Sequence, residues 1–240
     1  MNENGTAQPV TDRAQLIEWF AERGKPKSAW RIGTEHEKFL FRKDSFKPVA
    51  YEGGQGVGEL LRLLEEQYDM QPIIEKGLII GLKSDDGGSI TLEPGGQLEL
   101  SGAPLESLHE TCAETGAHLR QMREITQQLE LCMLGVGFQP LWQRRDISWM
   151  PKGRYKIMRE YMPKRGQLGL DMMLRSCTVQ VNLDYEDERD MVRKFRTSLA
   201  LQPIATALFA NLQFFMGPPR VNFLQQDKQE KDLQSEILAQ

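Results

Sequence analysis

Two short acidic segments constrain this chain more than any other feature. They are Gly33-Thr34-Glu35-His36-Glu37 and Leu92-Glu93-Pro94-Gly95-Gly96-Gln97-Leu98-Glu99-Leu100. Both read as β-strands, and residues two apart in a strand share a face. Glu35 and Glu37 therefore project together. Pro94-Gly95-Gly96 has the make-up of a three-residue hairpin loop, which pairs Glu93 with Gln97 and Thr91 with Glu99. That register puts Glu93 and Glu99 on one face as well. Four carboxylates crowded on half-buried strands repel one another unless cations neutralise them. An all-oxygen donor set suits Mg²⁺ or Mn²⁺, usually together with a bound phosphate. A lone Glu-x-Glu is more often a solvated strand face, and the second acidic strand is what favours a metal–nucleotide site.

A third strand supports that reading. Residues 176–184 alternate, with Cys177, Val179, Val181 and Leu183 facing a core and Thr178, Gln180, Asn182 and Asp184 on a polar face. Around these strands the pattern predicts a helix over 12–23 capped by Thr11 and an amphipathic helix over 59–68. It also predicts a strand over 78–82, a long helix over 104–130 with Pro104 at its start, and a helix over 187–215 kinked near Pro203. Mixed helices and hairpins in this order predict an α+β fold with an antiparallel sheet.

Other segments discriminate between functions. Residues 142–166 are basic, with Arg144, Arg145, Lys152, Arg154, Lys156, Arg159, Lys164 and Arg165 against Asp146 and Glu160, and they read as a loop. A net charge of −4 argues against a nucleic-acid partner, so these cations suit a carboxylate or the phosphates of a nucleotide. The glycines at 53, 54, 56 and 58 match no phosphate-binding fingerprint and suit a mobile loop over the site. Asp85-Asp86-Gly87-Gly88 reads as a turn. His36 faces away from the glutamates, His109 and His118 show no partner signature, and Cys177 reads as a core thiol. No apolar run reaches the length of a membrane span. The odd cysteine count and the polar N-terminus lead to the expectation of a reduced, cytoplasmic setting.

The motifs Arg31-Ile32-Gly33-Thr34-Glu35-His36-Glu37-Lys38-Phe39, Glu93-Pro94-Gly95-Gly96-Gln97-Leu98-Glu99-Leu100-Ser101-Gly102 and Met150-Pro151-Lys152-Gly153-Arg154-Tyr155 resemble those of glutamate–cysteine ligases of the plant and proteobacterial type. Gly169-Leu170-Asp171-Met172-Met173, Thr178-Val179-Gln180-Val181-Asn182 and Leu201-Gln202-Pro203-Ile204-Ala205 follow in the same order. The resemblance implies a glutamine-synthetase-like fold whose antiparallel sheet forms a cradle with flanking helices. It implies ATP- and Mg²⁺-dependent joining of L-glutamate, through its γ-carboxylate and an acyl phosphate, to L-cysteine, the first step of glutathione synthesis. Carried over, Glu35, Glu37, Glu93 and Glu99 hold Mg²⁺ and ATP phosphates with Gln180 beside them, and Arg154 binds the glutamate carboxylate. Glu35, Glu37 and Arg154 are then the catalytic candidates.

The resemblance runs over residues 10–219, and residues 220–240 form a divergent polar tail. Family members continue past this region with a second substrate-binding arginine. The expectation is therefore a C-terminally truncated portion of the catalytic domain, whose activity as a lone chain is open and whose exposed edges favour self-association. The alternatives are another carboxylate–amine ligase on the same scaffold and a non-catalytic nucleotide-binding remnant.

Overall fold

The computed structural model describes residues 9–209. The order of elements is α1 (Arg13–Ala21), β1 (Ile32–Arg42), α2 (Val57–Tyr68), β2 (Gln71–Glu75), β3 (Leu78–Lys83), β4 (Ser89–Leu92), β5 (Leu98–Ser101) and α3 (Leu108–Gln128). These are followed by β6 (Leu131–Leu134), α4 (Gly153–Tyr161), α5 (Gly169–Arg175), β7 (Val179–Leu183) and α6 (Glu188–Phe209). The seven strands form one sheet in the order β2-β3-β4-β5-β1-β6, and β7 also pairs with β1. Every pairing is antiparallel. This is the α+β class with an antiparallel sheet and flanking helices.

β1 organises the molecule. Its even residues Thr34 and Leu40 are buried, and Leu40 joins Ile90, Leu92 and Leu98 in the main core beneath α2 and α3. Its odd residues carry Glu35 and Glu37 on the opposite face. Further along that face Phe39 enters a second, smaller core with Trp142, Ile147, Leu174 and Cys177. Strand periodicity thus gives one strand a polar stretch and an apolar stretch on the same side, and the apolar stretch closes one end of the acidic face.

Several boundaries differ from the sequence reading, each for a local reason. Asp12, not Thr11, caps α1, because its carboxylate accepts the Ala14 N–H while Gln15 reaches back to the Asp12 N–H. α3 begins at Leu108 rather than Pro104, because Ser107 and Glu110 form a reciprocal capping box and Leu105 is held in a bridge to Ile32. The glycines near 53–58 serve the entry to α2 rather than a loop over the site. Gly56 caps the helix, and a side chain there would strike the carbonyls of Tyr51 and Glu52. The basic stretch is not a loop throughout, since α4 lies within it. β2 and β6 are further strands that the sequence pattern does not predict. β2 carries Pro72 and is an edge strand, the position a sheet tolerates for proline. Pro203 lies inside α6, while residues 210–215 and the tail lie outside the described residues.

The third strand departs most. Cys177 is buried as read, but Val179, Val181 and Leu183 are exposed, Val179 at 71%. That face of β7 has no core against it among the described residues. Nor, among them, is any helix long and apolar enough to cross a membrane.

Candidate active site

The hairpin between β4 and β5 forms as the sequence requires. The Glu93 N–H donates to the Gln97 carbonyl and the Gly96 N–H to the Glu93 carbonyl, both at 2.9 Å. Gly96 sits at φ +83°, a left-handed position glycine takes without strain. Thr91 lies opposite Glu99, Glu99 opposite Glu37, and Glu35 opposite both Ser101 and Gln180. Glu35, Glu37, Glu93, Glu99 and Gln180 therefore stand on one face of four adjacent strands.

Hydrogen bonds fix most of these side chains. Glu99 is buried and accepts from the Thr91 hydroxyl at 3.0 Å and the Ser101 hydroxyl at 2.7 Å. Glu37 accepts from the Thr178 hydroxyl at 2.9 Å and its N–H at 3.1 Å. The Asn182 amide donates to Glu35 at 2.9 Å, and Gln180 donates to Asn182 at 3.2 Å. Gln180 is thus one residue removed from the carboxylates. Thr178 and Asn182, on the polar face of the third strand, hold the glutamates directly, although alternation alone did not single them out.

Glu93 differs because its neighbours are acidic. Burial first, then Glu99 and Glu37, push its carboxyl up to about 7, and it shares a hydrogen bond with Glu99. Burial also raises Glu37, against the pull of Thr178 and with a further push from Glu99 and Glu35. A carboxyl raised this far by burial and like charge marks a candidate functional position.

The basic side of the site is built by the segment entering α4. The Met150 N–H donates to the Pro94 carbonyl at 3.0 Å. Lys152 Nζ donates to the Leu92 carbonyl at 2.8 Å, and the Tyr155 hydroxyl donates to the same carbonyl. Glu75 accepts the Gly153 N–H at 2.8 Å. These contacts pin the helix start to the hairpin and place Arg154 with its guanidinium 3.8 Å from Glu93 and largely in solvent. Lys152, not among the sequence candidates, is the more enclosed cation. Burial and Arg154 lower its ammonium, while Glu93, Glu99 and Glu75 counteract. The other arginines point elsewhere: Arg144 pairs with Asp171 at 3.5 Å, and Arg159 and Arg165 lie over Trp149 and Tyr161.

Behind the hairpin, Gln97 is buried and clamps the site. Its amide donates to the Met173 and Ser176 carbonyls at 3.2 and 2.8 Å, and its oxygen accepts the Gly95 N–H at 2.9 Å. The hairpin is thereby tied to the end of α5 and the start of the third strand.

The donor set matches a hard cation in kind: all oxygen, negative, and crowded enough to hold a proton. Among the described residues, however, no three His, Cys, Asp or Glu side chains stand close enough to hold a metal as they are. The carboxylates are instead held by Thr178, Thr91, Ser101 and Asn182.

Comparison with known proteins identifies the family. The chain is 56% identical over 212 residues to the chloroplastic glutamate–cysteine ligase of Medicago truncatula, covering 88% of this chain and 41% of the relative. It is 56% identical to the chloroplastic enzyme of Arabidopsis thaliana and 55% to the chloroplastic glutamate–cysteine ligase A of Oryza sativa subsp. japonica, covering 40% and 42% of those relatives. The chain thus spans about two fifths of their length. The cytoplasmic expectation is overturned, because the relatives are chloroplastic proteins and the chain's own cysteine count carries no weight against that. The profile of Glutamate-cysteine ligase family 2 (GCS2) matches residues 31–220, and the chain belongs to that family.

Proposed function

We propose that residues 10–219 are the N-terminal part of a glutamate–cysteine ligase catalytic domain, and that the acidic face is its magnesium–nucleotide site. In the whole reaction ATP phosphorylates the γ-carboxylate of L-glutamate, and the amine of L-cysteine displaces phosphate from the acyl phosphate. The observation that carries this reading is the convergence of Glu37, Glu93 and Glu99 on one face, where burial first and then the neighbouring carboxylates raise the Glu93 carboxyl to about 7.

Glu37, Glu93 and Glu99 would hold Mg²⁺, with Glu35 and Gln180 beside them toward the phosphates. When bound, the ion neutralises charge on the phosphoryl group in transfer. The residues themselves do the positioning. Thr91, Ser101 and Thr178 fix carboxylate orientation, Lys152 adds a half-buried positive charge beside Glu93, and Gln97 keeps the hairpin against α5. Arg154 stands at the rim with its guanidinium free to turn from Glu93 to a substrate carboxylate, which its planar fork holds through two hydrogen bonds. Catalysis on such a face is positioning and electrostatics rather than acid–base chemistry.

Joining glutamate to a different amine is not favoured, since the relatives at about 55% identity carry the glutamate–cysteine ligase name. The test is mass-spectrometric detection of γ-glutamylcysteine from ATP, Mg²⁺, L-glutamate and L-cysteine. A Glu35→Gln/Glu37→Gln variant serves as control. Product that disappears in the control supports the reading. A folded chain that forms no product is left with nucleotide binding as its only proposed role.

A further inference from the structure

A cavity of about 170 Å³ lies between the main-core face of the sheet and α3, at the end carrying the turn between β3 and β4. Its lining includes Ser84, Asp86, Ile90, Leu100, Glu114 and His118. A single water needs only ~10–15 Å³, so the space admits several waters or a small organic molecule. His118 is 3% exposed, and neither ring nitrogen has a hydrogen-bond partner. One Glu114 oxygen accepts the Ala103 N–H at 2.7 Å, while the other is buried and unpartnered. Asp86 is held in its turn by Ser84 and by the Gly88 N–H at 3.0 Å. A buried polar atom left without a partner is costly, and three such atoms around one cavity indicate a ligand.

The charge of the lining decides the class of ligand. It carries two carboxyl groups and no lysine or arginine. Burial holds the His118 imidazole down to about 4, with Lys38 and His36 contributing, so the ring is neutral at pH 7 and accepts a hydrogen bond. Burial raises the Glu114 carboxyl, and Asp86 adds to the effect. A zwitterionic amino acid is disfavoured because no lysine or arginine lines the cavity to meet its carboxylate. We propose that the orphaned His118 nitrogens, the free Glu114 oxygen and Asp86 form a second binding site, on the far side of the sheet from the acidic face, for a small primary ammonium ion with a short apolar tail. The ammonium hydrogens meet Glu114 and His118, and the tail lies along Ile90 and Leu100.

The experiment is an NMR titration of the 240-residue protein with ethylammonium chloride, following the ring nitrogens of His118. Tetramethylammonium, which has no N–H, and sodium acetate are the comparisons. Expected is a saturable shift with ethylammonium alone, weakened about tenfold or more by Glu114→Gln, which keeps the oxygen facing Ala103 but loses the charge. Binding that survives Glu37→Gln/Glu93→Gln separates this cavity from the acidic face. The proposal fails if ethylammonium moves nothing, which leaves the cavity to water. It also fails if tetramethylammonium or acetate acts equally, or if Glu114→Gln binds unchanged. His118→Phe should abolish the ethylammonium response, as read at Glu114. Should that variant not fold, Glu114→Gln carries the test.

Discussion

Glu93 is where the electrostatics of the acidic face are most exposed to measurement. Its carboxyl titrates near 7 in the fold against 4.5 ordinarily, so between those values the folded state holds a proton that the unfolded chain has released. The stabilising contribution is fully present below about pH 4.5 and is lost as pH rises through about 7. Expected is a fall in denaturant stability over that window, flattened by Glu93→Gln. A cation must displace the same proton, so apparent Mg²⁺ affinity should climb as pH passes 7. Arg154→Lys should weaken glutamate binding much more than nucleotide binding, because an ammonium cannot reproduce a two-pronged contact. Equal effects on the two ligands would misplace Arg154. Cys177 gives the contrasting case. Burial, with Glu37, pushes its thiol up to about 12, and backbone N–H groups of Val136 and Phe39 point at its sulfur. Cys177→Ser should cost about 1–3 kcal/mol in a denaturant melt without changing nucleotide affinity. The native thiol should also resist alkylation, and rapid labelling at pH 8 would contradict its burial.

At the scale of elements, the strands that build the site were legible because their chemistry is periodic. β1, the β4–β5 hairpin and β7 each show two-residue alternation, and Pro94-Gly95-Gly96 dictates a turn whose register follows. Less regular signals failed. β2 hides behind Pro72, and β6 is a four-residue strand that follows directly on α3 at Glu130, which sits at φ +55°. α4 has a basic composition that resembles solvated loop. Lys152 was lost in that run of cations, since nothing in the sequence says that Leu92 presents the carbonyl that fixes it. Gln97 is a related case: the hairpin motif contains it, but its partners lie some eighty positions away. Gln97→Leu leaves two carbonyls and the Gly95 N–H unpaired. It should lower stability by about 2–3 kcal/mol and raise hydrogen exchange at the third strand and α5. An unchanged melt would show that the clamp is incidental.

Across the whole molecule, the main-core face of the sheet is finished to different degrees at its two sides, and β7 lies at the open one, with Val181 opposite Thr34 and Val179 opposite His36. The side under α2 and α3 is a closed core, with Val57, Leu60, Leu61, Leu64 and Leu82 fully buried. Around β7 the apolar residues remain open: Val179, Val181 and Leu183 on the strand, Trp19 and Phe20 on α1, and Phe195 and Leu199 on α6. Apolar surface of this extent is unusual on a lone soluble chain. Expected is binding of a hydrophobic dye by the native protein and a mass by light scattering that grows with concentration. A dye-silent monomer would mean that these faces are covered in solution. The acidic face borders this open region through Glu35, Asn182 and Gln180, so the proposed nucleotide site lies at the boundary between the closed and open parts.

The proposed function requires the carboxylates of β1 and the β4–β5 hairpin to hold a magnesium–nucleotide complex. The most direct measurement is calorimetric titration of the protein with a non-hydrolysable ATP analogue, with and without Mg²⁺, repeated on Glu37→Gln/Glu99→Gln. Expected is Mg²⁺-dependent binding that is lost in the variant while its thermal melt stays cooperative. Binding that ignores Mg²⁺, or that persists undiminished in the variant, would contradict the assignment of these residues.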